Sequence, residues 1–143
     1  MIKILFVCHG NICRSPMGEY VLKDMAAKAG VSERFEIGSA AVSREEIGNP
    51  VYPPARRELA KHGIRCDGHV ARQVTLRDYQ HFDRIYYMDQ SNARNLSRLL
   101  PRDPDKIRSL LSRDVADPWY TGDFEQTWAD IVEGCSKIME EFE

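Results

Sequence analysis

Apolar and polar positions along the chain switch repeatedly between a strand period and a helix period. Ile2 to Cys8 (IKILFVC) is an almost continuous apolar run, as expected for a short parallel strand buried on both faces. Ser15 and Pro16 then read as a helix start, with serine as N-cap and proline at the first helical position. Met17, Val21, Met25 and Ala29 follow every fourth residue, and Gly30 supplies the stop. Phe35 to Ser39 predicts a second strand, and Ala40 to Tyr52 a polar loop. Pro53-Pro54 opens a short helix ending near Gly63. Arg84 to Met88 (RIYYM) predicts a third strand, Ser91 to Leu100 a helix stopped by Pro101, and Lys106 to Leu111 a weaker fourth strand. Phe124, Trp128, Ile131, Cys135, Ile138 and Phe142 trace one stripe down a final helix, which Asp123 and Gln126 open in the manner of a capping box.

Strands alternating with helices predict a three-layer α/β sandwich around a parallel sheet, with right-handed crossovers. No repeat, low-complexity tract or linker interrupts residues 1–143, so one domain is expected. In such sheets ligands bind beyond the C-terminal strand ends, near the switch in strand order. With 143 residues and a formal charge of −2, the chain carries no excess of positive charge to suggest nucleic acid or an anionic membrane as partner. No apolar run is long enough to span a bilayer, and no signal peptide is apparent, so a cytoplasmic protein is expected. Its four cysteines, Cys8, Cys13, Cys66 and Cys135, then read as free thiols. Neither they nor the scattered histidines have metal-ligand spacing, so neither metal nor cofactor is expected.

The chemistry concentrates in VCHGNICRSP, residues 7–16, where the first strand hands over to the first helix. Such a loop turns backbone N–H groups inward, and the helix N-terminus adds partial positive charge. Gly10 permits a tight turn, Asn11 tolerates left-handed backbone, and Arg14 offers a planar fork to two phosphoryl oxygens. A cysteine in that field is favoured as thiolate, so Cys8 and its surroundings combine an anion cradle with a nucleophile. Separately these residues read as a buried small hydrophobe, a solvated charge and a cap. The combination C-x5-R-S-P between strand and helix is far more specific and points to phosphate handling.

The stretch closely resembles the phosphate-binding loop of the low-molecular-weight protein tyrosine phosphatases. SAAVS (39–43), IGNP (47–50), HVARQ (69–73), MDQSN (88–92) and ADPWY (116–120) follow in the order that family shows, so the resemblance covers essentially the whole chain. It implies a four-stranded parallel sheet flanked by helices, and metal-independent hydrolysis of phosphotyrosine in proteins or of small aryl phosphates, with inorganic phosphate as product. By resemblance, Cys8 attacks phosphorus, Arg14 binds the phosphoryl oxygens, and Ser15 assists the leaving thiolate. Asp117 is then general acid and afterwards general base. His9, Gly10, Asn11, Ile12 and Cys13 complete the loop around the phosphate. Asn11, Ser39, His69 and Asp89 are implied supports, although Asp89 reads equally well as a helix cap. Cys13 is the implied redox partner of Cys8, with packing beneath the loop as its alternative. Trp119 and Tyr120 match the aromatic wall of the substrate pocket.

The facing wall departs from the pattern. Where better-known members carry an aromatic residue, this chain has Arg44, Glu45 and Glu46, and a carboxylate of Glu45 facing the pocket would disfavour acidic substrates. The related arginine-phosphate branch carries threonine where Ile12 stands, and arsenate reductases use further cysteines that are absent between Cys66 and Cys135. A phosphocysteine carrier needs neither Arg14 nor Asp117. A phosphotyrosine-binding module on an inactive scaffold is the non-enzymatic alternative.

Overall fold

Strand β1 (Ile2–Cys8) divides its side chains between two cores. Ile4, Phe6 and Cys8 point into one, Leu5 and Val7 into the other, and all five are buried. This burial on both faces explains why the strand reads as an apolar run rather than an alternation. The computed structural model of the protein describes residues 1–142. Its sheet is parallel throughout, in the order β2-β1-β3-β4, with β2 at Phe35–Ala41, β3 at Arg84–Tyr87 and β4 at Ile107–Ser109. The chain runs outward from β1 to β2, then crosses back to pair β3 on the other side of β1. The C-terminal end of β1, at Cys8, is therefore the topological switch point.

Among the described residues six α-helices surround the sheet: α1 (Arg14–Lys28), α2 (Pro53–Lys61), α3 (Leu76–His81), α4 (Gln90–Leu99), α5 (Pro118–Thr121) and α6 (Phe124–Phe142). Helices α1, α2 and α6 bury Met17, Val21, Leu22, Leu59, Ile131, Cys135 and Ile138 in the core beneath Phe6. On the other face, Leu96 and Leu100 pack with Leu5, Val7 and Ile85. The three-layer α/β sandwich expected from the pattern is present. No helix of the described residues is long and apolar enough to cross a membrane.

Two local expectations are corrected. Ser15 is not the N-cap of α1: the helix starts at Arg14, Cys13 occupies the cap without a side-chain bond, and Pro16 is the third helical residue. Fixing Ser15 inside the first turn lets its hydroxyl face Cys8 instead of the helix N–H groups. The fourth strand is three residues long, because Leu110 and Leu111 turn away to be buried in the core below the sheet. Helices α3 and α5 were not expected. The first begins with a capping box in which Thr75 and Asp78 satisfy each other's backbone N–H, and the second is a single turn capped by Asp117.

Candidate active site

The first helix starts at Arg14, and the preceding loop curls around the end of β1. Asn11 is the one described non-glycine residue with positive φ, at 61°. That left-handed conformation turns the loop, and asparagine bears it better than most residues. The Asn11 side chain is fully buried and anchored twice, its Nδ2 donating to Ser15 Oγ at 2.8 Å and its Oδ1 accepting from the Arg72 N–H at 3.2 Å. His69 Nε2 lies 2.8 Å from the Asn11 carbonyl oxygen. Since Asn11 already donates to Ser15 Oγ, the Ser15 hydroxyl hydrogen is left to Cys8 Sγ, 3.1 Å away. The Ser15 N–H also donates to that sulfur, at 3.4 Å.

Arg14 is the hub of the site. Its side chain is 2% exposed, yet it carries two carboxylate partners. Nη1 donates to Asp89 Oδ2 at 2.7 Å and to the Val115 carbonyl at 2.8 Å, while Nη2 donates to Asp117 Oδ2 at 3.2 Å. Burial alone would lower the guanidinium pKa, but Cys8, Asp117 and the bonded Asp89 outweigh it and hold the group above its usual value. Nε, by contrast, is buried without any partner. Asp89 serves both alternatives left open by the sequence: Oδ2 holds Arg14, and Oδ1 caps α4 by accepting from the Asn92 N–H at 2.8 Å.

Cys8, His9, Gly10, Ile12, Cys13 and Arg14 line a cavity of about 130 Å³, closed at its rim by Glu45, Glu46, Asp117, Trp119 and Tyr120. Asp117 Oδ1 accepts from the Trp119 N–H at 3.0 Å, which ties the carboxylate to the turn carrying both rim aromatics. Tyr120 is 83% exposed, whereas Trp119 rests on Tyr52 with ring centroids 4.8 Å apart. Cys13 is buried; desolvation, reinforced by the charges of Cys8 and Asp117 against that of Arg14, pushes its thiol up, so it stays protonated. Ser39 is set further back, its Oγ donating to the buried Glu19 carboxylate at 2.6 Å. Among the described residues no group of three or more His, Cys, Asp or Glu side chains could hold a metal ion.

The sequence matches, over residues 3–143, the model of the family described as low molecular weight phosphotyrosine protein phosphatase. The chain belongs to that family. A phosphatase of this family from Bacillus subtilis, YfkJ, is 40% identical across 97% of this chain and 94% of its own length. Its crystal structure superposes with a TM-score of 0.95 over 99% of this chain and 94% of that one. The human low molecular weight phosphotyrosine protein phosphatase is 39% identical across 96% of this chain and 93% of its own. A solved Drosophila protein described as an arginine phosphatase is 29% identical, with a TM-score of 0.88 over 99% of this chain and 98% of that one. The chain is thus a cysteine-dependent protein tyrosine phosphatase.

In this phosphatase the contacts that back the loop appear only in the structure. Glu46 presses on the loop, its Cγ lying 3.2 Å from where a Cβ on Gly10 would sit. Residues 69–73 form a strap: Arg72 gives its N–H to Asn11 and its carbonyl to the Ala41 N–H, while its guanidinium grips Asp78 at 2.8 and 2.9 Å. The T-x-x-D spacing of Thr75 and Asp78 was the available signal for the end of this strap.

Two expected outcomes test these supports. Asn11→Ala loses buried hydrogen bonds and strains the positive φ, costing about 2–4 kcal/mol in urea unfolding, and it slows aryl phosphate turnover. Asn11→Gly recovers only the backbone part. Burial would raise the Asp78 carboxyl, but the bonds from Arg72 and Thr75 hold it below the usual carboxylate range. Its contribution to stability is therefore present above the unfolded-state value near 4 and lost as pH falls through the lower folded value. Asp78→Asn should flatten the acid limb of the stability curve; an unchanged limb would refute this role.

Proposed function

We propose that the chain hydrolyses phosphotyrosine and aryl phosphate monoesters through a phosphocysteine on Cys8. The observation that carries this reading is the orphaned Nε of Arg14, a buried cationic donor in a cavity it shares with Cys8. An unpartnered donor in such a place costs stability unless an anion takes it up. Arg14 Nε and Nη2 form the fork suited to two phosphoryl oxygens, and Asp89 with the Val115 carbonyl fixes the guanidinium by Nη1.

In the first step Cys8 Sγ attacks phosphorus as the bond to the phenolic oxygen breaks. The electron pair leaves with that oxygen, and Asp117 delivers the proton it needs. The phosphoryl dianion competes with Asp117 for Arg14, which releases Asp117 to face the leaving oxygen. Arg14 and the loop N–H groups stabilise the charge on the equatorial oxygens. In the second step ionised Asp117 takes a proton from water, whose oxygen attacks phosphorus. The P–S bond breaks, inorganic phosphate forms, and the thiolate is received by the Ser15 hydroxyl and N–H. Ile12 gives the loop an apolar branched side chain beside an aromatic substrate, which favours phosphotyrosine over phosphoarginine. The site of action is proposed to be the cytoplasm, without metal, nucleic acid or membrane as partner.

Cys13 is proposed as the redox partner of Cys8. Peroxide converts the Cys8 thiolate to a sulfenic acid, and attack by the Cys13 sulfur forms the disulfide with loss of water. Inactivation by peroxide is then reversed by added thiol in the wild type and largely permanent in Cys13→Ser; equal recovery in both removes the idea. The experiment that tests the substrate class compares phosphotyrosine, phosphoarginine and phosphoserine peptides in EDTA. Phosphotyrosine should turn over fastest. Binding without turnover would mean an inactive binding module, and a preference for phosphoarginine would overturn the weight placed on Ile12.

A further inference from the structure

The cavity rim is chemically lopsided. Trp119 and Tyr120 supply aromatic faces, but the rest of the rim carries the carboxylates of Glu45, Glu46 and Asp117, beside the His9 ring from the loop. Most of these charges are already committed inside the protein. Asp117 Oδ2 is held by Arg14, and Glu46 Oε2 accepts from Asn49 Nδ2 at 2.6 Å. Glu45 differs. Its side chain is 68% exposed, with one carboxylate oxygen 2.8 Å from His9 Nε2. That bond fastens Glu45 to the loop that carries Cys8, so its charge stands at a fixed place on the mouth of the cavity. Arg44, its neighbour in sequence, does not line the cavity and offers no counter-charge within it.

We propose that Glu45, positioned by His9, makes this phosphatase select phosphotyrosine flanked by a cationic side chain. The inference rests on the catalytic reading above, because it needs the phosphoryl group to occupy the loop beside Cys8 and Arg14. With the phosphotyrosine seated there, its neighbouring residues pass over the rim and meet the Glu45 carboxylate. A lysine or arginine is attracted and an acidic residue repelled. Both charges remain solvated, so little desolvation opposes the attraction, and its size is that of an exposed ion pair. The expected preference is roughly three- to fivefold in kcat/KM between a basic and a neutral peptide, with a similar further loss for an acidic one. As a contact between exposed charges it weakens with added salt.

The test uses three phosphotyrosine peptides of one length, flanked by arginine, glutamine or glutamate, on wild type, Glu45→Gln and Glu45→Arg. Each kcat/KM is divided by the value of the same protein on a small aryl phosphate that carries no charge beyond its phosphoryl group. The wild type should rank basic over neutral over acidic, Glu45→Gln should compress the ranking, and Glu45→Arg should invert it. A wild type indifferent to the flanking charge, or a ranking that survives Glu45→Gln, overturns the proposal while aryl phosphate turnover leaves the catalytic reading standing. No aryl phosphate turnover in the wild type would overturn both.

Discussion

Cys8→Ser should lower turnover of a phosphotyrosine peptide by roughly 100,000-fold, the scale on which removal of a covalent nucleophile acts. The substitution exchanges one atom and leaves the shape of the loop nearly unchanged. A serine hydroxyl, however, is not ionised near neutral pH, and the groups bonded to Cys8 Sγ include no base to ionise it. Cys8 Sγ is surrounded by donors, the Ser15 hydroxyl at 3.1 Å and the Ser15 N–H at 3.4 Å, which suit a thiolate and do nothing to deprotonate an alcohol. Arg14 keeps its orphaned Nε in this variant, so peptide affinity should survive the loss of chemistry. Calorimetry with the phosphopeptide and single-turnover kinetics separate the two quantities. Residual turnover within tenfold of the wild type would place the nucleophile elsewhere, and joint loss of binding and turnover would mean that Cys8 shapes the loop.

How far the sequence could be read followed the range of the interactions involved. Strand β1 and helix α6 were legible because a buried strand or a long amphipathic helix writes its environment into its own residues, as in Ile2–Cys8 and in the stripe from Phe124 to Phe142. The loop was legible for a similar reason: Cys8, Arg14 and Ser15 are close in sequence and share one turn. Ser15 was misread because serine before proline is a common cap, and only the folded loop shows the hydroxyl already engaged by Asn11 and Cys8. Helix α3 stayed hidden because six residues hardly reveal a period, and its Leu76 is exposed. Of the strap, His69 was found by motif, but the part played by Arg72 was out of reach. Arg72 acts on Asn11 from 61 residues away, through a backbone N–H that every residue but proline possesses. Asp117 was found by motif rather than by pattern, and its attachment to Arg14 appears only in the structure.

Asp117→Ala should slow phosphotyrosine hydrolysis by about 100- to 1,000-fold, within the usual range for loss of a general acid. The tyrosine phenol has a pKa of about 10, so without a proton it must leave as a basic phenolate. A nitrophenyl phosphate releases a weaker base and should suffer a smaller loss, which marks the defect as one of proton donation. Asp117→Asn sharpens the point. Its amide oxygen can still accept from the Trp119 N–H, as Asp117 Oδ1 does at 3.0 Å, so the turn keeps its cap while the acid is gone. Asparagine and alanine should then be equally slow, with kcat falling and KM not rising, because neither competes with the phosphoryl group for Arg14 through a carboxylate. If Asp117→Asn were as fast as the wild type, Asp117 would be reduced to a cap. The acid would then have to be sought at Asp89, the other carboxylate on Arg14. That alternative is poorly placed: Asp89 does not line the cavity, and its two oxygens are occupied by Arg14 Nη1 at 2.7 Å and the Asn92 N–H at 2.8 Å. A carboxylate anchored on both sides can hold an arginine still, but it cannot swing to a leaving oxygen.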